Sequence, residues 1–216
     1  MSEAVIFYKE AFAKTSEQRR RRVLDEAVRE FAVKGFSGTN INLIAERAEI
    51  SIGAMYSYFA SKEALFLTIV SQQFDILMET LDDIDVEQPF TAVVRDLFRM
   101  VMVKTNDFPE FSQIYHNITT QSMSQMAKKL SSQFEADMLN FLLMLIDKAK
   151  ARGELSAQLD ARMLAFCIDN LLIMFQFSFS SDYYRERMRL FLGEERLADD
   201  EQLIDDIMVC VAKQFQ

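Results

Sequence analysis

Glycine and proline are too scarce in this chain for it to turn often: it has five and two of them in 216 residues. A many-stranded β architecture needs turn residues at short intervals. This chain is instead rich in Leu, Met, Ala, Glu and Arg at helical spacing, so an all-α fold of about nine or ten helices is predicted. Half of the residues are hydrophobic, enough for a core without disulfide or metal staples. Cys167 and Cys210 lie in apolar helical stretches without CxxC spacing, and are expected as buried, inert thiols in a reducing cytoplasm. Nothing at the N-terminus reads as a signal peptide. The longest apolar run, Met163 to Phe179, is broken by Asp169 and Asn170, which argues against a membrane span.

The net charge of −9 is spread unevenly. Residues 1–63 carry ten Lys/Arg against nine Asp/Glu, whereas residues 64–216 carry 14 against 24. Phosphate therefore repels the larger part of the chain and tolerates the first quarter, which holds the run Arg19, Arg20, Arg21, Arg22.

The first long helix is expected over about 16–34, opened by Thr15 and Gln18 in a capping-box pattern and stopped by Gly35. Three further caps follow closely. Thr39 is expected to cap a short helix (about 40–47), Ser51 a second (51–59), and Ser61 a long one that ends near Asp82 and Asp83. Beyond it, Pro89 and Pro109 suit helix starts, Gly153 closes the longest pattern, and residues 160–180 are apolar on more than one side. A polar stretch, Ser181 to Gly193, leads to a last helix built on Leu203, Ile204, Ile207, Met208, Val211 and Phe215.

Two short capped helices joined by Ala48, Glu49 and Ile50 have the dimensions of a helix-turn-helix. Inward positions of the second helix can be Ile52, Met55 and Phe59, leaving Gly53, Ala54, Tyr56, Ser57 and Tyr58 toward nucleic acid. Thr39, Ser51, Tyr56, Tyr58 and Lys62 are expected on phosphates, and Ile52, Gly53, Ala54 and Ser57 near base edges. Three aromatics in a short helix are by themselves core material; the capped spacing and Lys62 turn the reading toward a DNA surface.

In that order, Phe31, Gly35, Thr39, Ile44, Ala45, Ala48, Ser51, Gly53, Tyr56, Tyr58, Phe59, Ser61, Lys62 and Leu65 resemble the signature of the TetR family of one-component regulators. The resemblance covers roughly residues 16–66. It implies an N-terminal three-helix helix-turn-helix domain (16–63), preceded by an extension (1–15) and followed by a larger helical effector-binding and dimerisation domain (64–216). It also implies a homodimer on double-stranded operator DNA, most simply a repressor released from a palindromic operator by a small apolar or aromatic effector. Phe98, Met102, Phe108, Phe111, Tyr115, His116, Phe134, Met138, Phe141, Asn170 and Met174 are the expected effector residues, and Leu171, Phe175, Ile207 and Val211 the expected dimer contacts. One departure stands in the turn: Glu49 occupies a position where many members have Gly, so a left-handed residue there would cost about 1 kcal/mol.

Two rival classes remain. An enzyme would need more than one His, a metal spacing or a Gly-rich phosphate loop, so no catalytic, metal or cofactor site is expected. A helical adaptor using its arginines on a protein partner is the alternative, separated from a regulator by salt-dependent duplex binding.

Overall fold

The computed structural model describes the backbone of residues 6–120 and 124–214 and the side chains of 6–118 and 135–211. Among the described residues there are eleven α-helices, one 3-10 helix and no strand beyond a single isolated bridge. In order the helices are α1 (Glu10–Ala13), α2 (Glu17–Gly38), α3 (Ile41–Arg47), α4 (Ile52–Tyr58), α5 (Lys62–Asp82), α6 (Phe90–Asp107), α7 (Pro109–Thr120), α8 (Ser124–Ala151), α9 (Ala161–Ser180), α10 (Asp182–Leu192) and α11 (Asp200–Gln214), with the 3-10 turn at Glu195–Ala198. They form two compact units, Met1–Met78 with Gln113–Ser122, and Glu79–Ser112 with Met123–Gln216.

In the first unit the caps set the helix starts. Ser16 accepts the Arg19 N–H (3.4 Å), Ser51 the Ala54 N–H (3.1 Å) and Ser61 the Ala64 N–H (3.1 Å), each satisfying one orphan donor of a first turn. The capping residue of α2 is thus Ser16, not Thr15, whose carbonyl accepts from Arg20 instead. Gly35 breaks α2 as expected: its φ of 62° is open to glycine, and the chain kinks there before a short last turn. Val23, Ala27 and Phe31 of α2 are buried, as are Ile44, Ala45, Met55, Leu65 and Phe66. The Phe31 and Phe66 rings meet edge-on at 4.9 Å. Asn117 Nδ2 donates to the Ala32 carbonyl (3.4 Å), tying the end of α7 to α2.

In the second unit α9 packs against α6, α8 and α10, and α11 packs against α6. Gly153 (φ 73°) closes α8, and the Asp160 carboxylate caps α9 through the N–H groups of Arg162 and Met163 (2.9 and 3.0 Å). The Phe98 ring stands edge-on to Phe175 at 5.1 Å, and Phe175 to Phe179 at 4.9 Å. Arg99 forks onto Glu201, linking α6 to α11. The Ser181 to Gly193 stretch is itself a helix, α10, ended by Gly193 (φ 83°) and supported by Arg189 on Glu186 one turn away. By length and composition α9 could cross a membrane, but Asp169 and Asn170 lie within it and three helices pack against it.

The cysteines depart from expectation. Cys167 and Cys210 are free and exposed, on faces of α9 and α11 that none of the described residues covers.

Candidate nucleic-acid interface

The helix-turn-helix is built by three local devices. α3 starts at Asn40, whose Oδ1 accepts the Asn42 N–H at 2.9 Å, so the cap falls one residue beyond Thr39. Thr39 is buried, and its hydroxyl donates to the Gly35 carbonyl at 2.7 Å, closing the kinked end of α2. In the turn, Glu49 takes φ 54°, the left-handed conformation anticipated for it, and its carboxylate pairs with Arg22 at 2.6 Å. One member of the arginine run therefore braces the turn. Arg20 is also engaged locally, on the Ala13 and Thr15 carbonyls.

Seven residues make α4, and they divide into two faces. Met55 and Phe59 are buried as expected, and Tyr58 joins them at 7% exposure. Ile52 turns out instead, at 39%, beside the exposed Gly53 and Ser57, while Tyr56 is 51% exposed and Ala54 half-buried. Tyr58 is thus not on the outer face expected for it, whereas Ile52 keeps the base-edge side expected for it rather than the inward position also open to it; the inward line is Met55, Tyr58 and Phe59, at i, i+3 and i+4. What draws Tyr58 inward is Phe12, a residue of the N-terminal extension, whose ring lies 5.4 Å from Tyr58 and 4.7 Å from Phe59.

Lys62 is also placed differently from a simple phosphate contact. Its ammonium donates to the carbonyls of Ser37 (3.2 Å) and Thr39 (3.1 Å) and lies 5.0 Å from the centre of the Phe36 ring. These are the carbonyls left open where α2 kinks, so Lys62 ties the start of α5 to that corner. A buried carboxylate, Glu30, meets Arg47 at 3.2 Å and joins α2 to α3. The outer surface of α4 thus consists of Ser51, Ile52, Gly53, Tyr56 and Ser57, with Ala54 half-buried between them. Nothing larger than hydrogen stands on Gly53, and the Cβ that a side chain would add meets only Ser51 Oγ at 3.8 Å. A backbone this bare can approach a groove closely.

The expected effector residues fall in both units and differ in burial. Phe98 is plain core against Phe175; Phe108 is exposed with Lys104 over its ring; Met102, Phe111 and Phe141 are half-buried. Tyr115 is buried and His116 half-buried on the part of α7 that belongs to the first unit. The Phe134 side chain lies outside the described residues. Asn170 Nδ2 donates to the Phe166 carbonyl at 2.7 Å, and Met174 is exposed. Met138 of this set lines a cavity of about 300 Å³ between α8 and α9, with Leu142, Phe166, Arg162, Glu135 and Asp169. Burial holds the Glu135 and Asp169 carboxyls above the usual carboxylate range, Glu135 further through the charge of Asp169. Of the expected dimer contacts, Phe175 and Val211 are buried inside the protomer, Ile207 is half-buried, and Leu171 is open at 41%. Met163, Phe166, Cys167 and Met174 extend the open face along α9.

One comparison with known proteins falls on this region and others span most of the chain. The family model for bacterial regulatory proteins, tetR family, matches residues 23–69. The HTH-type transcriptional regulator RutR of Escherichia coli (strain K12) is 29% identical over 97 residues, 45% of this chain and 46% of its own length, so the chain spans about half the length of this curated relative. A TetR family transcriptional regulator from Chloroflexus aurantiacus superimposes with a TM-score of 0.69 at 20% identity over 96% of this chain and 97% of its own. FadR from Bacillus subtilis, solved in complex with stearoyl-CoA, superimposes with a TM-score of 0.70 at 14% identity over 89% of this chain and 96% of its own.

Proposed function

We propose that the chain, whose residues 23–69 match the family model for bacterial regulatory proteins, tetR family, is a member of that family and a cytoplasmic transcriptional regulator that lays α4 in the major groove of operator DNA. The observation that carries the proposal is the outer face of α4. Ile52 and Tyr56 stand in solvent beside Gly53 and Ser57, on a helix whose opposite face is packed and whose start is capped. Small residues let the backbone approach base edges, Ile52 offers an apolar contact such as a thymine methyl accepts, and the Tyr56 phenol can donate to a phosphate.

Residues 16–63 are proposed as the DNA-binding module and residues 64–216 as the effector and dimer module, acting as a repressor released by a small effector. The open stripe of α9 supports a second copy as its cover, with Leu171 at the contact. The apolar floor of the α8–α9 cavity supports an effector with a hydrophobic body, as does the stearoyl-CoA carried by a protein of the same fold. An effector that weakens operator binding a hundredfold must itself bind the operator complex a hundredfold more weakly, a coupling of about 2.7 kcal/mol. The proposed lever is α5, whose residues begin in one unit and end in the other.

Selection from a random duplex library tests the proposal. The expected result is enrichment of an inverted repeat, bound with an affinity that falls steeply as salt rises. A library that emerges unenriched would leave the helical-adaptor reading in its place.

A further inference from the structure

α4 is so short that four of its seven carbonyls, Met55 to Tyr58, belong to a last turn without partners inside the helix. One is satisfied locally, the Phe59 N–H donating to the Met55 carbonyl (2.9 Å), and Ser57 Oγ adds a bond to the Ala54 carbonyl one turn earlier (2.7 Å). Two more are taken by one residue 47 and 49 positions earlier in the chain. The Lys9 N–H donates to the Tyr58 carbonyl and Lys9 Nζ to the Tyr56 carbonyl, both at 2.8 Å. Around these bonds Tyr8 pairs with Phe59 in an antiparallel bridge, and Phe12, 1% exposed, closes over the Tyr58 and Phe59 rings. Arg20 holds the other end, donating from α2 to the carbonyls that follow α1.

We propose that Tyr8 to Phe12 form a clamp that fixes the attitude of α4, and that Lys9 and Phe12 are positioning residues for sequence recognition. The proposal rests on the reading of α4 as the recognition helix. A seven-residue helix has no stability of its own and takes its order from what it packs against. The clamp grips backbone carbonyls, so it acts whatever side chains α4 displays, and its ammonium sits where the helix dipole favours a cation. Hydrogen bonds to base edges weaken steeply with misalignment, whereas phosphate contacts by long side chains follow a shifted helix. Loosening α4 therefore costs specific binding and spares non-specific binding.

The test uses the full chain. Lys9→Pro removes both donors at a residue whose φ of −85° is close to the proline value, and Phe12→Leu removes the ring contacts while keeping an apolar side chain. The expected result is amide exchange about tenfold faster at Met55 and Phe59 in either variant, with Val23 and Phe31 unchanged. On a duplex selected with the wild-type protein, the ratio of selected-site to random-duplex affinity should fall by about tenfold. Lys9→Arg should restore both readouts. Unchanged exchange overturns the clamp. So does equal loss on both duplexes with a salt slope lower by about one, which would make Lys9 a phosphate contact. If the wild-type protein selects no duplex, the recognition reading fails with its specificity claim, and the exchange rates alone decide whether the clamp holds α4.

Discussion

Helices α4 and α9 both turn large apolar side chains outward, but they differ in what stands beside them. On α4, Ile52 and Tyr56 alternate with Ser51, Gly53 and Ser57, and the helix is tied at both ends by Ser51 and Lys9. On α9, Met163, Phe166, Cys167, Leu171 and Met174 run along three turns, with Asn170 the polar residue among them and Phe166 64% exposed. Exposure of apolar groups alone does not identify a partner; their neighbours do. Small and hydroxyl-bearing neighbours on a fixed backbone suit a hydrated, anionic groove, whereas a broad apolar stripe suits a like surface.

The largest effect that could break this contrast is Leu171→Glu. In the isolated protomer the side chain is open, so folding should be nearly unchanged. A carboxylate buried between two copies should weaken the dimer by about 4 kcal/mol, roughly a thousandfold. Sedimentation at about 10 μM should find a monomer that has lost operator binding as well. A variant that stays dimeric moves the interface off α9.

The next effect lies inside the DNA-binding unit. Arg47→Ala leaves the buried Glu30 carboxylate without the partner it has now, and should lower stability by about 2 kcal/mol in denaturant unfolding. Loss of less than a few tenths would mean that water replaces the guanidinium at no cost.

These two regions were unequally legible in the sequence. Caps and glycine stops are local, so Ser51, Ser61, Gly35 and Gly153 could be placed from their neighbours, and the left-handed Glu49 from the resemblance, in which many members have Gly at that position. What depended on distant contacts could not. Lys9 and Phe12 reach α4 across more than 40 residues, so the inward turn of Tyr58 had no local sign. The competition between Thr39 and Asn40 for the cap was decided by the kink at Gly35, which claims the Thr39 hydroxyl. Lys62 stands where a phosphate contact is expected, but its ammonium is held by carbonyls opened by the same kink. α10 is hard to read because its sequence is rich in charged residues and none of its side chains is fully buried. The exposure of the cysteines is not legible because both lie in apolar helical stretches, and periodicity alone does not say which side another helix covers.

A smaller effect separates the α9 flank that faces the cavity from its open stripe. Asp169 and Glu135 have carboxyl pKa values raised by burial, so between the usual carboxylate range and the raised one the folded chain holds protons that the unfolded chain has released. Stability should therefore fall as pH rises through that window. Asp169→Asn should flatten the fall and raise stability at neutral pH, read as melting temperature against pH. An unchanged profile would mean that both carboxylates are solvated. The smallest effect is Glu49→Gly, which relieves the left-handed backbone but gives up the exposed pair with Arg22. The net gain should be about 0.5 kcal/mol, and a net loss would show that the ion pair outweighs the strain.

The central claim is that two copies of the outer face of α4 read DNA together. Methylation interference on the selected operator tests it most directly, because dimethyl sulfate marks guanine N7 in the major groove and adenine N3 in the minor groove. The account predicts two clusters of interfering guanines on one side of the duplex, with centres about 34 Å or one helical turn apart. Gly53→Gln should abolish both together, since the new side chain occupies the space into which the groove wall must come. A single cluster, or interference confined to adenines, would contradict the account.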